Sequence, residues 1–407
     1  MMNQLVSVDD KLNGKVYNYT YDAGGNLISE TVTDSNGTTS NAYEYNNSNW
    51  GDVLTSYNGQ NITYDEIGNP LTYRDGMSMT WKNGRQLATL TNGDTSISYG
   101  YDSDSVRTTK TVNGVKYTYA YLNGQLLYET RGDAKFYYSY DANGILYNVR
   151  YTLTDGGTEY SYYYTHNSRG DIVGIYNGAG ELKAHYEYDA WGNVISITDN
   201  NGNAITNPNH IGNLNPFRYR GYYQDTETGL YYLMSRYYDA VTHRFINADG
   251  YFQSGGSILD ANTFAYCGNN PVLNVDPLGT CKVPNYTSAG TYIGHTWKIK
   301  ESVPGVPGFC NVCKGYGSNA PSNTSHSFVI SSYTTPSTKK QDYNTWNKVA
   351  DSFGAIFCSL EVDFDAGFGF GFDVTDIFSI KAMGKHTLIS AVSYTHLRAH
   401  ETPEHLV

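Results

Sequence analysis

The residues best equipped for chemistry lie late in the chain. Cys310 and Cys313 stand as C-x-x-C, a separation at which two thiolates can grip one zinc ion. A closed zinc site needs two more ligands. Cys281, His295, His326 and Cys358 are available but form no zinc-binding spacing, so the pair is a weak metal candidate that a disulfide or free thiols explains equally. Five cysteines is an odd count, which leaves at least one unpaired within the chain. Either thiol with His326 would make a nucleophile and its base, an arrangement that residue type alone supports. Asp363, Asp365 and Asp373 lie in EVDFDAGFGFGFDV. Strict alternation there puts Phe364, Phe368, Phe370 and Phe372 on one strand face and the carboxylates on the other, solvated one, with no metal required. His396, His400 and His405 crowd the tail, but residues 391–407 share no pattern with what precedes them and read as foreign to the rest of the chain.

These groups need a scaffold, and composition says which kind. Of 407 residues only 16% are charged, while Tyr numbers 41 and Gly 42. Aromatic enrichment excludes a disordered chain, and Tyr with Gly, Thr and Asn points to strands broken by tight turns. The formal net charge of −12 argues against a nucleic-acid-wrapping surface. No run of about 18 apolar residues offers a membrane-spanning helix. The opening MMNQLVSVDD lacks the basic-then-apolar order of a secretory leader. All but six of the tyrosines precede residue 280, and the negative charge is confined to the same part. That step places a domain boundary just after Gly279.

The first part repeats. Tyr21-Asp22, Tyr64-Asp65, Tyr101-Asp102, Tyr140-Asp141 and Tyr188-Asp189 recur, and in four of the five a glycine follows: Gly25, Gly68, Gly144 and Gly192. YTYDAGGNLIS and YEYDAWGNVIS are the clearest copies. Weaker ones stand at Trp50-Gly51-Asp52, Lys82-Asn83-Gly84, Leu122-Asn123-Gly124 and Asn167 to Gly170. Tyr-x-Tyr puts two rings on one strand face, Asp opens a turn by bonding its own backbone, Gly supplies the positive φ, and the apolar residues return. Each unit is a β-hairpin that cannot stand alone in water, so neighbours must stack edge to edge into a curling sheet with ladders of Tyr rings. The aromatic residues then serve chiefly as scaffold, with a carbohydrate-binding face as the alternative.

This series, over about residues 15–200, resembles the YD repeat of RHS proteins, teneurins and the C component of insecticidal toxin complexes. The stretch 215–279 resembles the RHS repeat-associated core domain almost end to end. It carries RGYYQDTETGLYYLMSRYYDAVTHRF and closes with NNP and DPLG. Four departures stand out: Ala240 for Pro, His243 for Gly, Gly250 for Pro after Asp249, and Phe264-Ala265-Tyr266-Cys267 for a tyrosine-rich form. Residues 217–223 read as a strand, 225–229 as a turn, and 230–233 with 236–239 as a hairpin.

The resemblance implies a mainly β fold: a curled antiparallel β-hairpin array, residues 1–210, capped by the core domain, residues 211–279. A variable C-terminal segment of α+β or irregular structure would follow over 280–390, truncated, before the foreign tail. Strands over 325–330 and 361–374 and a helix over 342–357 are expected within it. The implied role is a shell that contains and presents this C-terminal effector, in a secreted or wall-associated bacterial polymorphic toxin met by an immunity protein, with no cofactor. Some relatives carry a tRNA nuclease there; the segment's net charge near zero and lack of Lys/Arg clusters weigh against one here. Some relatives also cut themselves after the core domain with an aspartic-type pair of carboxylates, one holding a proton while the other activates water. Asp249 and Asp276 are the candidates, with Asp260 as a third and Arg244 as the nearby cation. The expected cut is near Gly279-Thr280, although Thr280 stands where many self-cutting relatives carry Leu. The chain is expected to be a slice of a longer protein.

Overall fold

The computed structural model describes residues 3–250 and 261–280 in full, with the backbone of Val283–Pro284, Phe378–Met383 and His386–Ala391. Two compact units comprise Met1–Ser331 and Ser332–Val407. In the second, the described residues are one antiparallel hairpin with Phe378 opposite Ala391, where the sequence singled out no element. The elements expected over 325–330, 342–357 and 361–374 lie outside the described residues. Among the described residues no helix is long and apolar enough to cross a membrane.

In the first unit the hairpin array is plain. Strands from Ser7–Asp10 to Gln60–Asn61 form a six-stranded sheet, and those from Thr63–Tyr64 to Val194–Thr198 a fourteen-stranded sheet, each strand beside its sequence neighbours. All of the pairings are antiparallel, as in Lys15–Tyr21 against Leu27–Asp34. Period-two burial follows: Tyr17 and Tyr19 point inward while Asn18 and Thr20 face solvent.

The repeat's turn works as its residue types demand. The carboxylates of Asp22, Asp65, Asp141 and Asp189 each accept the backbone N–H four residues on, at 2.8 to 2.9 Å. The glycine three residues on has φ of 86°, 81°, 78° and 93° in turn, where a side chain would be strained. In the fifth copy Ser105 takes that place at φ 65°. The copies at Asn83-Gly84 and Asn123-Gly124 form a different turn: both residues have positive φ, as a two-residue hairpin loop requires. Trp50-Gly51-Asp52 lies in the longer connection between the antiparallel strands Gly37–Glu44 and Ser56–Tyr57, and Trp50 packs on Phe264 with ring centroids 5.7 Å apart.

The inward rings do more than build ladders. Stacked pairs occur along the array, as at Tyr151–Tyr160 (5.2 Å, 25°). Many inward rings instead meet the segment 217–245 edge to face: Tyr119 on Tyr223 at 88°, and Tyr138 on Phe217 at 79°. An aromatic edge against another ring's face is the electrostatically favoured approach. That segment forms its own four-stranded sheet from Tyr223–Asp225, Leu230–Leu233, Arg236–Asp239 and Arg244–Phe245, and nearly all of it is buried. The strand expected over 217–223 is instead a tight turn at Tyr219–Gly221, with Arg220 at φ 56°. The physical cause is Asp171, a wholly buried carboxylate that captures the Arg220 backbone N–H at 3.0 Å.

Charged groups stitch the two layers together. Asp239 receives two bonds from Arg74, at 2.7 and 2.8 Å. Asp225 binds Arg107 at 2.7 Å and Lys110 at 3.0 Å. Glu129 binds Arg131 at 2.8 Å and the Tyr223 hydroxyl at 2.6 Å.

His243 occupies the position where glycine was expected, and its φ of 62° gives the reason. Its ring stacks on Trp191 at 4.6 Å, close to Tyr43 and 3.8 Å from Glu30. Burial pushes its pKa down to about 3, and nearby Asp239 only partly opposes that. A folded value below the unfolded one means stability that is full above pH ~6.5 and is lost as pH falls towards the folded pKa. At pH 5 the loss should be about 2 kcal/mol. Asp189, raised to about 7 by burial, and Glu30, also raised by burial, act in the opposite sense, so the difference between proteins isolates His243. Melting temperatures at pH 7 and pH 5 should fall more for the wild type than for His243→Asn, which tolerates the same φ. Equal falls would contradict the assignment.

Candidate functional site

The site grows from a two-residue turn. Leu233 pairs with Arg236, leaving Met234 and Ser235 as the loop, with Met234 at φ 59°. This sharp reversal aims Ser235 at the end of the core segment: its hydroxyl donates to the Leu278 carbonyl at 2.6 Å and its N–H reaches the same oxygen at 3.3 Å. Arg236 follows at once, 6% exposed, its guanidinium 3.5 Å from the Phe245 ring centroid.

Arg236 is the hub. Its Nε donates to the Gly279 carbonyl, and one Nη donates to the Thr263 carbonyl at 2.9 Å. The other Nη is shared by two carboxylates, Asp249 at 3.1 Å and Asp276 at 3.6 Å. Asp276 reaches around the chain reversal, where its Oδ1 accepts the Thr280 N–H at 3.1 Å. Its own backbone is pinned by the Tyr222 hydroxyl, which accepts from Asp276 N at 3.2 Å and lies 3.2 Å from the Tyr266 hydroxyl. The Gly279–Thr280 peptide is therefore gripped on both sides: a guanidinium on its oxygen and a carboxylate on its nitrogen. Gly279 itself has φ 69°, and a Cβ there would lie 2.8 Å from the Leu233 carbonyl. Only glycine fits.

The structure brings Asp249 and Asp276 to one cation. That cation is Arg236, where the sequence reading named Arg244. Arg244 is held elsewhere, by the Tyr45 hydroxyl at 2.6 Å and the Asp52 carbonyl, between the rings of Tyr45 and Phe264. Asp260, Cys310 and Cys313 lie outside the described residues, as does His326. Among the described residues no group of three or more His, Cys, Asp or Glu is placed to hold a metal. The sequence reading passed over Ser235 and Arg236, taking Arg236 as a strand residue. The available signal was a charged side chain opening a strand of apolar and aromatic neighbours, which burial would force to find a partner.

With this geometry in hand, the class is clear: a β-hairpin array wrapped on a buried, arginine-stitched core segment. The RHS Repeat family model matches residues 3–39 and 166–204. The chain is 39% identical over 287 residues to the tRNA3(Ser)-specific nuclease WapA of Bacillus spizizenii, and 38% over 292 residues to the tRNA nuclease WapA of Bacillus subtilis strain 168. Each match covers 68% of this chain and 11% of the relative, so the chain spans only about a tenth of those proteins. A crystal structure of TcdB2-TccC3-TEV shares the fold, with a TM-score of 0.50 and 20% identity over 65% of this chain and 13% of that one. The chain is an RHS-repeat protein, related to RHS-type toxins.

Proposed function

We propose that the chain is the shell-and-delivery part of a bacterial polymorphic toxin. The array, residues 1–210, and the core segment, residues 211–279, contain and present the residues after Gly279, and self-cleavage near Gly279–Thr280 sets them free of the covalent chain. The observation that carries this reading is the Arg236 site: a buried cation and the Asp276 carboxylate meet one peptide bond at the end of the core segment, and a second carboxylate, Asp249, pairs with the cation. The toxin acts outside its producing cell, secreted or held at the wall, and an immunity protein would bind its effector in that cell.

Containment is testable without cleavage. Protease added to the native full chain should spare residues 280–390 and digest them once the chain is unfolded. Digestion at the same rate in both states would overturn it. A second reading makes residues 280–390 an enzyme such as a tRNA nuclease, favoured by the activity named for the Bacillus relatives. Growth arrest on expression inside a bacterium, lost on truncation at Gly279, would support it. Carbohydrate contact through outward rings such as Tyr147, Tyr160 and Tyr163 belongs to the same extracellular setting.

A further inference from the structure

We infer that Arg85, on the hairpin array, is a positioning residue for Asp249, so that cutting at the end of the core segment depends on the array being seated there. This rests on the self-cleavage reading above and says what regulates it.

Arg85 closes a hairpin loop. Lys82 pairs with Gln86, and Asn83 and Gly84 turn the chain with positive φ, which leaves Arg85 at the end of its hairpin. The neighbouring repeat turn, Asp65 to Asn69, stands beside it: the Asn69 amide donates to the Gly84 carbonyl at 2.8 Å. Together the two turns hold one residue of the core segment, Ala248. Its N–H donates to the Gly68 carbonyl at 3.1 Å, and its carbonyl accepts from an Arg85 Nη at 2.8 Å. The same nitrogen donates to the Ile67 carbonyl at 2.8 Å, so one guanidinium nitrogen ties array to core. The approach is close: a Cβ on Gly68 would lie 3.0 Å from that of Ala248.

Ala248 matters because Asp249 follows it. The peptide joining them has its N–H on the core segment, at the Thr263 carbonyl (2.9 Å), and its oxygen on the array, at Arg85. Past Asp249 comes Gly250, which has no Cβ to restrict its own backbone. The Arg85 stem runs alongside it, with Cδ and Nε 3.7 Å from where a Cβ would stand. Arg85 therefore touches the chain on both sides of Asp249. Its charge also faces that carboxylate: burial pulls the Arg85 pKa down, and Asp249 opposes this ahead of Asp65.

Arg236 and Asp276 meet the Gly279–Thr280 peptide from within the core segment. Asp249 is the member of the site whose backbone leans on the array. A misplacement of about 1 Å in such a constellation costs on the order of 100-fold in rate. A core segment on which the array has not closed would carry all three groups and lack the bond that sets Asp249. Release then waits until the wall is in place around what it contains. Arg85 touches neither partner of the scissile bond and acts through Asp249.

The test follows cutting of the full chain by intact mass as wild type, Arg85→Met, Arg85→Lys and Tyr73→Phe, each with a thermal melt. Arg85→Met keeps an apolar stem beside Gly250 and loses the donors. It should slow cutting about 10- to 100-fold and melt near the wild-type temperature, since Arg85 is only half-buried. Arg85→Lys restores a charge and rotatable N–H donors, and should cut faster than Arg85→Met at the same melting temperature. Tyr73→Phe removes a different bond between array and core, from the Tyr73 hydroxyl to that of Thr242 at 2.8 Å, and should cut at the wild-type rate. Wild-type cutting in Arg85→Met, no recovery with lysine, or equal slowing in Tyr73→Phe would overturn the inference and leave self-cleavage standing. A wild-type chain that stays whole would remove both.

Discussion

Asp225→Ala should destabilise the first unit by about 3–5 kcal/mol, the scale for removing one partner of a buried ion pair. Asp225 is wholly buried and answers two cations from the array, Arg107 at 2.7 Å and Lys110 at 3.0 Å. Burial alone would push its carboxyl up, but Arg107 and then Lys110 overcome that and hold it below the usual range. Without it, Arg107 keeps only the Tyr237 hydroxyl at 3.1 Å and the faces of surrounding rings, Tyr232 nearest at 4.3 Å. Ring faces attract a desolvated guanidinium by about 2 kcal/mol or more but carry no net charge to balance it, as a carboxylate does. Lys110 keeps the more exposed Glu227 at 2.9 Å. Chemical denaturation of Asp225→Ala against Asp155→Ala measures the contrast. Asp155 is 80% exposed in its pair with Lys135, and its loss should leave the midpoint unmoved. A similar small change for both would show that the buried pair does not couple the layers.

Arg236→Ala should stop the proposed self-cleavage, with a rate loss on the order of 100- to 1,000-fold, as for removal of an oxyanion donor. The same change strips Asp249 and Asp276 of their shared cation, so lost cutting could reflect lost structure. Arg236→Lys separates the two. It keeps a positive charge near the carboxylates but loses the planar fork that reaches the Gly279 oxygen, the Thr263 carbonyl and both acids together. A chain that melts near the wild-type temperature yet stays whole by intact mass is the expected result. Asp276→Asn should slow cutting by about 100-fold or more, since an amide cannot take the proton. Wild-type cutting in Arg236→Lys and Asp276→Asn together would place the chemistry elsewhere.

Much of the array was legible. Asp22 to Asn26 are five successive positions of one turn, and the bond that makes the turn joins its two ends. The core segment's hairpin, Leu230–Leu233 with Arg236–Asp239, was legible for the same reason. Residues 217–223 were misread because alternating aromatic residues look like a strand wherever they occur. What bends them is Asp171, which lies 49 residues away from the amide it binds. Arg244 was taken for the catalytic cation by its nearness in sequence to Asp249. A one-residue step along a strand reverses the face a side chain points to, and across the hairpin it was Arg236 that met the acids.

The amino-acid sequence by itself determined the repeating hairpin, its turns and the corner at Gly279, because each depends on backbone preferences and bonds a few residues long. Which charge meets which was decided only by the tertiary structure. Arg107 and Asp225 stand 118 residues apart, and Arg236 and Gly279 stand 43 apart. Pattern shows that a buried charge must find a counterpart, since leaving it bare in a low-dielectric interior costs too much. It does not show which of many acidic residues the winding of the sheets will carry to its side.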